Sequence, residues 1–180
     1  MGSVRPPKQA KLFCGLLSGD VDLLAELRRR LAKQLGPMEA VSEIWPFDCT
    51  DYYRDEMGDD IKRQFVVFEE LFSVERLPEV KRLTNALEER FTEDLGSPAG
   101  IRPVNLDPGY LTLSKLVLAT TKDYAHRLYV QAGIYAEVTL RYESGDWRPW
   151  PWTYPDYAAD TYHPFFRQVR EAYKRQLAGG

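Results

Sequence analysis

The sequence has few of the features that mark zinc proteins, membrane proteins or duplex-binding proteins. It contains 2 Cys and 2 His in 180 residues, without the paired spacing of a zinc site. No apolar run reaches the roughly 18 residues that a membrane-spanning helix needs. The formal net charge is -3, so the chain lacks the basic excess with which proteins meet duplex phosphates. We therefore expect no zinc site, no membrane span and no nucleic-acid partner.

The familiar motifs of nucleotide and hydrolase chemistry are also missing. There is no G-x-x-x-x-G-K-[ST] phosphate loop, no G-x-G-x-x-G after a strand, no H-E-x-x-H and no G-x-S-x-G. The first residues carry no apolar segment of a secretory signal, and Cys14 and Cys49 lie far apart, which favours reduced thiols. We expect a cytoplasmic protein without a P-loop.

The chain has a composition that suits one packed domain over residues 1–180. Hydrophobic residues make up 44% of it and aromatic residues 13%, which is enough for a full core at this length. Apolar runs predict strands at 11–17, 38–47, 62–72 and 103–106. Leucine-rich stripes predict helices between Asp20 and Gly36 and between Pro78 and Gly96. The order β-α-β-β-α-β over residues 9–108 is typical of an α+β, ferredoxin-like antiparallel sheet.

Residues 109–180 are predicted to elaborate that core. Asp107-Pro108-Gly109 has the composition of a turn, and the segment 111–121 fits either a helix or a buried strand. The segment 126–142 is predicted to form a hairpin whose three-residue loop pairs Val130 with Ile134 and leaves Gly133 in the left-handed region. This register places His126 on the apolar face. A loop rich in Trp, Pro and Tyr follows at 147–157, and a third helix is predicted at about 161–177.

The first candidate site segment is acidic and aromatic. Asp48, Asp51 and Glu56 have oxygen ligands of the kind that Mg²⁺ prefers, and Tyr52 lies among them. Lys62, followed by Arg63, is a candidate phosphate ligand. The simpler interpretation is that the acids are turn residues and solvated carboxylates.

The second candidate segment carries polar residues at and after the end of a predicted strand. Asn105 and Asp107 close the fourth predicted strand, and Lys115 follows shortly after. These residues serve either a turn or a binding site.

The third segment joins Lys122 and Arg127, as possible anion ligands, to Glu137 across the predicted hairpin. Arg127 and Glu137 are also explained as an ordinary cross-strand pair. Tyr154, in the aromatic loop, is a candidate for stacking on a base or sugar.

Long strings of the sequence resemble a family of uncharacterised bacterial proteins, a domain-of-unknown-function family. The strings are NLDPGYL at 105–111, LVLATTKD at 116–123, GIYAEVTL at 133–140 and WTYPDY at 152–157. Some members of that family carry the label "GTP-binding protein". The resemblance implies a bacterial cytoplasmic protein with no established activity, and it supplies no catalytic residues. The missing phosphate loop gives the GTP label no support from the residues.

The leading hypothesis is that the protein binds, and in its wider form turns over, a small anionic ligand such as a nucleotide or phosphate ester. It requires the candidate residues to gather in one cleft. The alternative is a non-enzymatic interaction module that uses the Trp/Pro/Tyr-rich loop. A third interpretation, RNA binding by the run 28–30 and Lys33, conflicts with the acidic balance. The sequence leaves the oligomeric state open.

Overall fold

A computed structural model describes residues 2–179, and the strands of this part of the chain form one antiparallel sheet. The strands are β1 (Ala10–Ser18), β2 (Met38–Val41), β3 (Trp45–Pro46), β4 (Lys62–Phe72), β5 (Val104–Leu111), β6 (Lys115–Thr120), β7 (Leu128–Gln131), β8 (Ile134–Glu143) and β9 (Asp146–Pro149). Their order is β2-β4-β1-β5-β6-β8-β7, with β3 beside β4 and β9 beside β8. The predicted α+β class is confirmed.

Helices cover both faces of this sheet. They are α1 (Val21–Leu35), α2 (Arg54–Met57), α3 (Leu77–Asp94), α4 (Pro155–Ala158) and α5 (His163–Gly179). Side chains of β1 alternate between the two layers, as the pleat of a strand requires. Leu12, Cys14 and Leu16 pack with α1 and α3, whereas Phe13 packs with α5. In residues 2–179, no helix is long and apolar enough to cross a membrane.

Local signals in the sequence set the main helices and the central strands. The Asp20 side chain accepts a hydrogen bond from the Asp22 backbone N–H at 2.8 Å and caps α1, and Gly36, at φ +96°, ends it. The predicted strand at 62–72 is β4 itself. The predicted strand at 38–47 is two short strands, β2 and β3, because the chain leaves the sheet between them.

The predicted turn at Asp107-Pro108-Gly109 is wrong, because β5 runs straight through it. The predicted boundary between core and elaboration, at 108/109, therefore falls inside a strand. Pro108 lies opposite Cys14 of β1, at a position where β5 has not yet met β6. Because the pairing of β5 with β6 begins only at Gly109, the missing N–H of Pro108 removes no hydrogen bond to β6.

The C-terminal half keeps the predicted hairpin but changes its details. The segment 111–121 resolves into the strand β6. Leu128 pairs with Ala136 as predicted, but the loop is shorter, since Gln131 pairs with Ile134 across Ala132 and Gly133. Both loop residues have positive φ, and the register shifts before the turn.

The segment 147–157, which the sequence predicts to be a loop, contains regular structure at both ends. Its first residues belong to β9, and its end forms α4. The predicted apolar face of the last helix is confirmed, because its side chains are buried against the sheet; they are Tyr162, Phe166, Val169 and Tyr173.

Candidate functional site

Strands β5 and β6 are paired over only part of their length. They pair from Gly109 to Leu111, and before Gly109 the two strands separate. In the open part, α3 supplies the partners of the β5 backbone. Lys81 Nζ donates to the Leu106 carbonyl at 2.8 Å, and the Leu106 N–H donates to Glu88 Oε1 at 2.6 Å. The opening therefore leaves neither backbone group of Leu106 without a partner.

A cavity of about 870 Å³ occupies this opening. Its volume lies within the range of about 300–1,000 Å³ that is usual for small-molecule sites. Three loops surround its mouth, at 50–56, 97–102 and 120–122, and residues of α3 and α4 line its sides. We refer to it as the seam cavity.

The seam cavity gathers most of the residues that the sequence suggested. Eight of them line it, namely Tyr52, Glu56, Asn105, Asp107, Lys122, Arg127, Glu137 and Tyr154. Four do not, namely Asp48, Asp51, Lys62 and Lys115. Lys62 pairs with Asp60 at the surface, and Lys115 is exposed at the start of β6.

The three acids suggested for Mg²⁺ do not form a ligand set. Asp51 pairs with Arg54 at 2.7 Å, and Glu56 pairs with Arg102 at 2.6 Å. Within residues 2–179, no three His, Cys, Asp or Glu side chains are grouped so that they could hold a metal ion. Asp51 and Glu56 of this segment are therefore already paired with guanidinium groups.

Arg63 lies at the base of the seam cavity, between two carboxylates. Its Nη1 is 3.1 Å from Asp107 Oδ2, and its Nη2 is 3.0 Å from Asp156 Oδ2. Gly15 makes room for it, because a Cβ at that position would lie 2.7 Å from Arg63 Nη1. The same Cβ would lie 3.3 Å from the hydroxyl of Tyr157, which is buried and has no hydrogen-bond partner within residues 2–179.

The hydrogen bonds of Asp107 continue toward the mouth. Asn105 Nδ2 donates to Asp107 Oδ2 at 2.9 Å, and Arg102 Nη1 donates to Asn105 Oδ1 at 2.9 Å. Arg102 then reaches Glu56 of α2. These contacts hold α2, β5, β4 and α4 in fixed positions around the seam cavity.

Burial and neighbouring charges move two carboxyl pKa values in opposite directions. Burial raises the pKa of Glu88 to about 7, against the opposing charge of Lys81. Burial also acts on Asp107, but the positive charges of Arg63 and Lys81 outweigh it and lower the pKa of Asp107. Of these two lining carboxyl groups, Asp107 is therefore ionised near neutral pH, whereas Glu88 exchanges its proton there.

Two cations lie at the rim. Arg127 Nη1 donates to the Lys122 carbonyl at 3.1 Å, so the two residues are adjacent. Arg127 Nε pairs with Glu137 at 2.8 Å, as the sequence suggested. The Lys122 ammonium donates a hydrogen bond to the Tyr52 hydroxyl, lies 4.5 Å from the centre of that ring and has no carboxylate within 4.0 Å in the described part of the chain.

His126 does not belong to the apolar face on which the sequence placed it. It precedes β7, and its Nε2 lies 3.2 Å from Glu137 Oε2. Its ring stacks on Trp152 at a centroid distance of 5.4 Å. The difference arises because β7 begins only at Leu128, so His126 lies before the strand and does not follow its alternation of faces.

Sequence reasoning missed five lining residues that are buried or half-buried. These are Lys81, Glu88, Arg102, Asp156 and Tyr157. One signal for two of them was present, because Lys81, Thr84 and Glu88 recur at helical spacing beside the apolar stripe of α3. Such a polar stripe on a packed helix indicates that the helix faces something polar.

The comparisons with known proteins give a family without an assigned activity. No curated protein and no solved structure matches the chain. A family model described as a domain of unknown function (DUF4416) matches residues 8–173, which include every residue of the seam cavity. The match spans nearly the whole chain, and the chain therefore belongs to this family of proteins with a domain of unknown function, DUF4416.

Proposed function

We propose that the seam cavity binds a small anionic molecule of the nucleotide or phosphate-ester class. The observation that carries the proposal is the gathering of polar side chains from distant parts of the chain around one cavity of about 870 Å³. A structural role alone does not require a cavity of that size between two strands of a sheet, since interiors are close-packed.

The rim provides the place for the anion. Most cations of the seam cavity are already balanced, since Arg63, Arg102 and Arg127 each contact a carboxylate. Lys122 is exposed, donates a hydrogen bond to the Tyr52 hydroxyl and lacks a carboxylate partner among the described residues, so its charge has no counter-ion there and is suited to a phosphate. Arg127 binds Glu137, the Lys122 carbonyl and the Tyr154 hydroxyl, one through each of its nitrogens, and this leaves one further N–H on each Nη as a second donor.

Two aromatic rings flank the rim. Tyr52 is 57% exposed and Tyr154 is 39% exposed, although large aromatic side chains are usually well buried. Arg127 Nη2 donates to the Tyr154 hydroxyl at 2.6 Å, which holds the ring near the cations. An exposed ring beside a phosphate site favours ligands with a flat base or a sugar face.

Thermal-shift and titration experiments with inorganic phosphate, methyl phosphate, ribose 5-phosphate and adenosine monophosphate test this proposal. A compound at about 100 times its dissociation constant stabilises the fold by roughly 2.7 kcal/mol, which gives a measurable rise in Tm. We expect Lys122→Ala to reduce that rise. Lys115→Ala is the matched control, because Lys115 is an exposed lysine outside the seam cavity.

Equal responses of the two variants would contradict an anion site at the rim. If no phosphorylated compound raises Tm, the alternative function stands instead, a protein-interaction module that uses residues 147–157. That alternative has less support, because Trp147 and Tyr157 are 1% exposed and only Trp152 and Tyr154 present large ring surfaces to solvent.

We also propose a ferredoxin-like core for this family. The support is the strand order β2-β4-β1-β5 with antiparallel neighbours, and the crossing helices α1 and α3 packed together in one layer. A cytoplasmic location in a bacterium, and a single domain for the whole chain, belong to the same proposal.

A further inference from the structure

The seam cavity is lined by carboxylates as well as by cations. Carboxylates line its base, so an inorganic anion that entered fully would meet them. Asp107 is the most prominent, because 23% of its side chain is exposed although it lies on a central strand. A molecule that fills the seam cavity therefore needs hydrogen-bond donors at the base as well as an anion at the rim.

One oxygen of Asp107 is available to such a donor. Oδ2 accepts from both Arg63 Nη1 and Asn105 Nδ2, whereas Oδ1 accepts no hydrogen bond from the described residues. The two bonds to Oδ2 fix the direction of Oδ1, so its position is set before any molecule binds. A fixed acceptor of this kind gives orientation and specificity at low entropic cost.

The charges around Asp107 favour a neutral donor over an ammonium group. Asp107 and Asp156 are balanced by Arg63, which contacts both, and by Lys81, which lies below β5. Glu88, the remaining carboxyl group beside Lys81, has a pKa that burial raises to about 7, so a further positive charge has no large excess of negative charge to meet. The buried Tyr157 hydroxyl, which has no hydrogen-bond partner among the described residues, offers a second neutral group to a hydroxyl that enters the base of the seam cavity.

We infer that the seam cavity takes a hydroxyl-bearing phosphate ester, of the sugar-phosphate or nucleotide type, with its hydroxyl groups on Asp107 Oδ1 and its phosphate on Lys122 and Arg127. This inference rests on the proposed function and narrows it. Inorganic phosphate and simple alkyl phosphates occupy only the rim, and a molecule with both parts uses both ends of the seam cavity.

Calorimetric titration of the full chain with three probes tests the inference. The probes are methyl phosphate, which has no hydroxyl group, ribose 5-phosphate, which has both parts, and ribose, which has no phosphate. A hydrogen bond to a charged acceptor is among the stronger ones, so we expect ribose 5-phosphate to bind at least about tenfold more tightly than methyl phosphate. Equal affinities for those two probes would overturn the inference and leave the proposed function intact. If neither phosphorylated probe binds, the proposed function itself fails.

Two variants locate the preference. Asp107→Asn removes the charge of the acceptor, and we expect it to abolish most of the preference for ribose 5-phosphate while methyl phosphate binds as before. Asp60→Asn removes a carboxylate that pairs with Lys62 outside the seam cavity and leaves Asp107 Oδ1 in place, so the preference should survive. Loss of the preference in both variants, or in neither, contradicts the assignment to Asp107. If Asp107→Asn does not fold, the comparison of the three probes on the unchanged chain decides.

Discussion

The paired and unpaired halves of the seam between β5 and β6 satisfy the backbone hydrogen bonds of β5 in two different ways. In the closed half, Gly109 to Leu111 pairs with Leu116 to Leu118 strand to strand. In the open half, Lys81 and Glu88 of α3 satisfy the Leu106 backbone, and Pro108 has no N–H to satisfy. The difference teaches that a sheet can open without orphaned backbone groups when a helix supplies the missing partners.

The largest expected effect comes from breaking the closed half with Gly109→Ala. A Cβ at this position would lie 2.3 Å from the Val117 carbonyl oxygen and 2.7 Å from Phe13 Cζ, so backbone and core must both move. We expect a loss of about 3 kcal/mol or more in the free energy of unfolding, measured in urea. Gly2→Ala is the control, because nothing lies within 4 Å of that Cβ, and an equal loss there would refute the steric explanation.

A smaller effect should follow from Lys81→Met in the open half. The substitution keeps the apolar stem and removes the donor to the Leu106 carbonyl, which leaves a buried acceptor unpaired. We expect a loss of about 1–3 kcal/mol in the free energy of unfolding. Arg82→Met, at the exposed neighbouring position of α3, should cost much less. Similar losses in both variants would mean that Lys81 does not replace β6 as a partner.

The pH dependence of stability separates Glu88 from other acids of α3. Its folded pKa of about 7 lies above the ordinary value of 4.5, so the folded state binds the extra proton between these values. Stability should therefore fall as pH rises from about 4.5 to about 7, by about 3 kcal/mol at most for this group. Glu88→Gln should flatten the profile in that window, and the exposed Glu93→Gln should leave it unchanged. A wild-type profile that Glu88→Gln does not alter would contradict the assignment.

The smallest effect is expected away from the seam. Lys62 was a sequence candidate for phosphate, but it pairs with Asp60 at the surface and does not line the seam cavity. Lys62→Ala should change the free energy of unfolding by less than about 1 kcal/mol, since exposed ion pairs contribute little. It should also leave the affinity for ribose 5-phosphate unchanged in calorimetry, and a large drop would extend the site beyond the seam cavity.

Local signals predicted the elements whose ends and faces depend on nearby residues. The cap at Asp20, the stop at Gly36 and the apolar stripes of the helices are of this kind. The wrong prediction of a turn at Asp107-Pro108-Gly109 shows the limit of local signals. These turn-forming residues lie within β5, at the point where it begins to pair with β6. Tertiary contacts with β1 hold β5 extended against its local preference.

The residues of the candidate site also fall into two groups, those that local sequence patterns predict and those that depend on tertiary contacts. Its rim residues stand in polar and aromatic segments, so sequence patterning found Lys122, Arg127 and Tyr154. Its buried residues depend on which strands meet and where they separate. Glu88 and Asp156 become site residues only because the seam is open, and no local pattern encodes that opening.

Chemical-shift mapping by NMR tests most directly whether the open half of the seam is the binding site. The ¹⁵N-labelled chain would be titrated with ribose 5-phosphate, with the amide signals of both halves assigned. We expect the largest shifts at the amides of Asn105 to Asp107 and of Thr120 to Lys122, with little change at Gly109 to Leu111. Shifts confined to β7 or to residues 147–152, or no shifts at millimolar ribose 5-phosphate, would contradict the account.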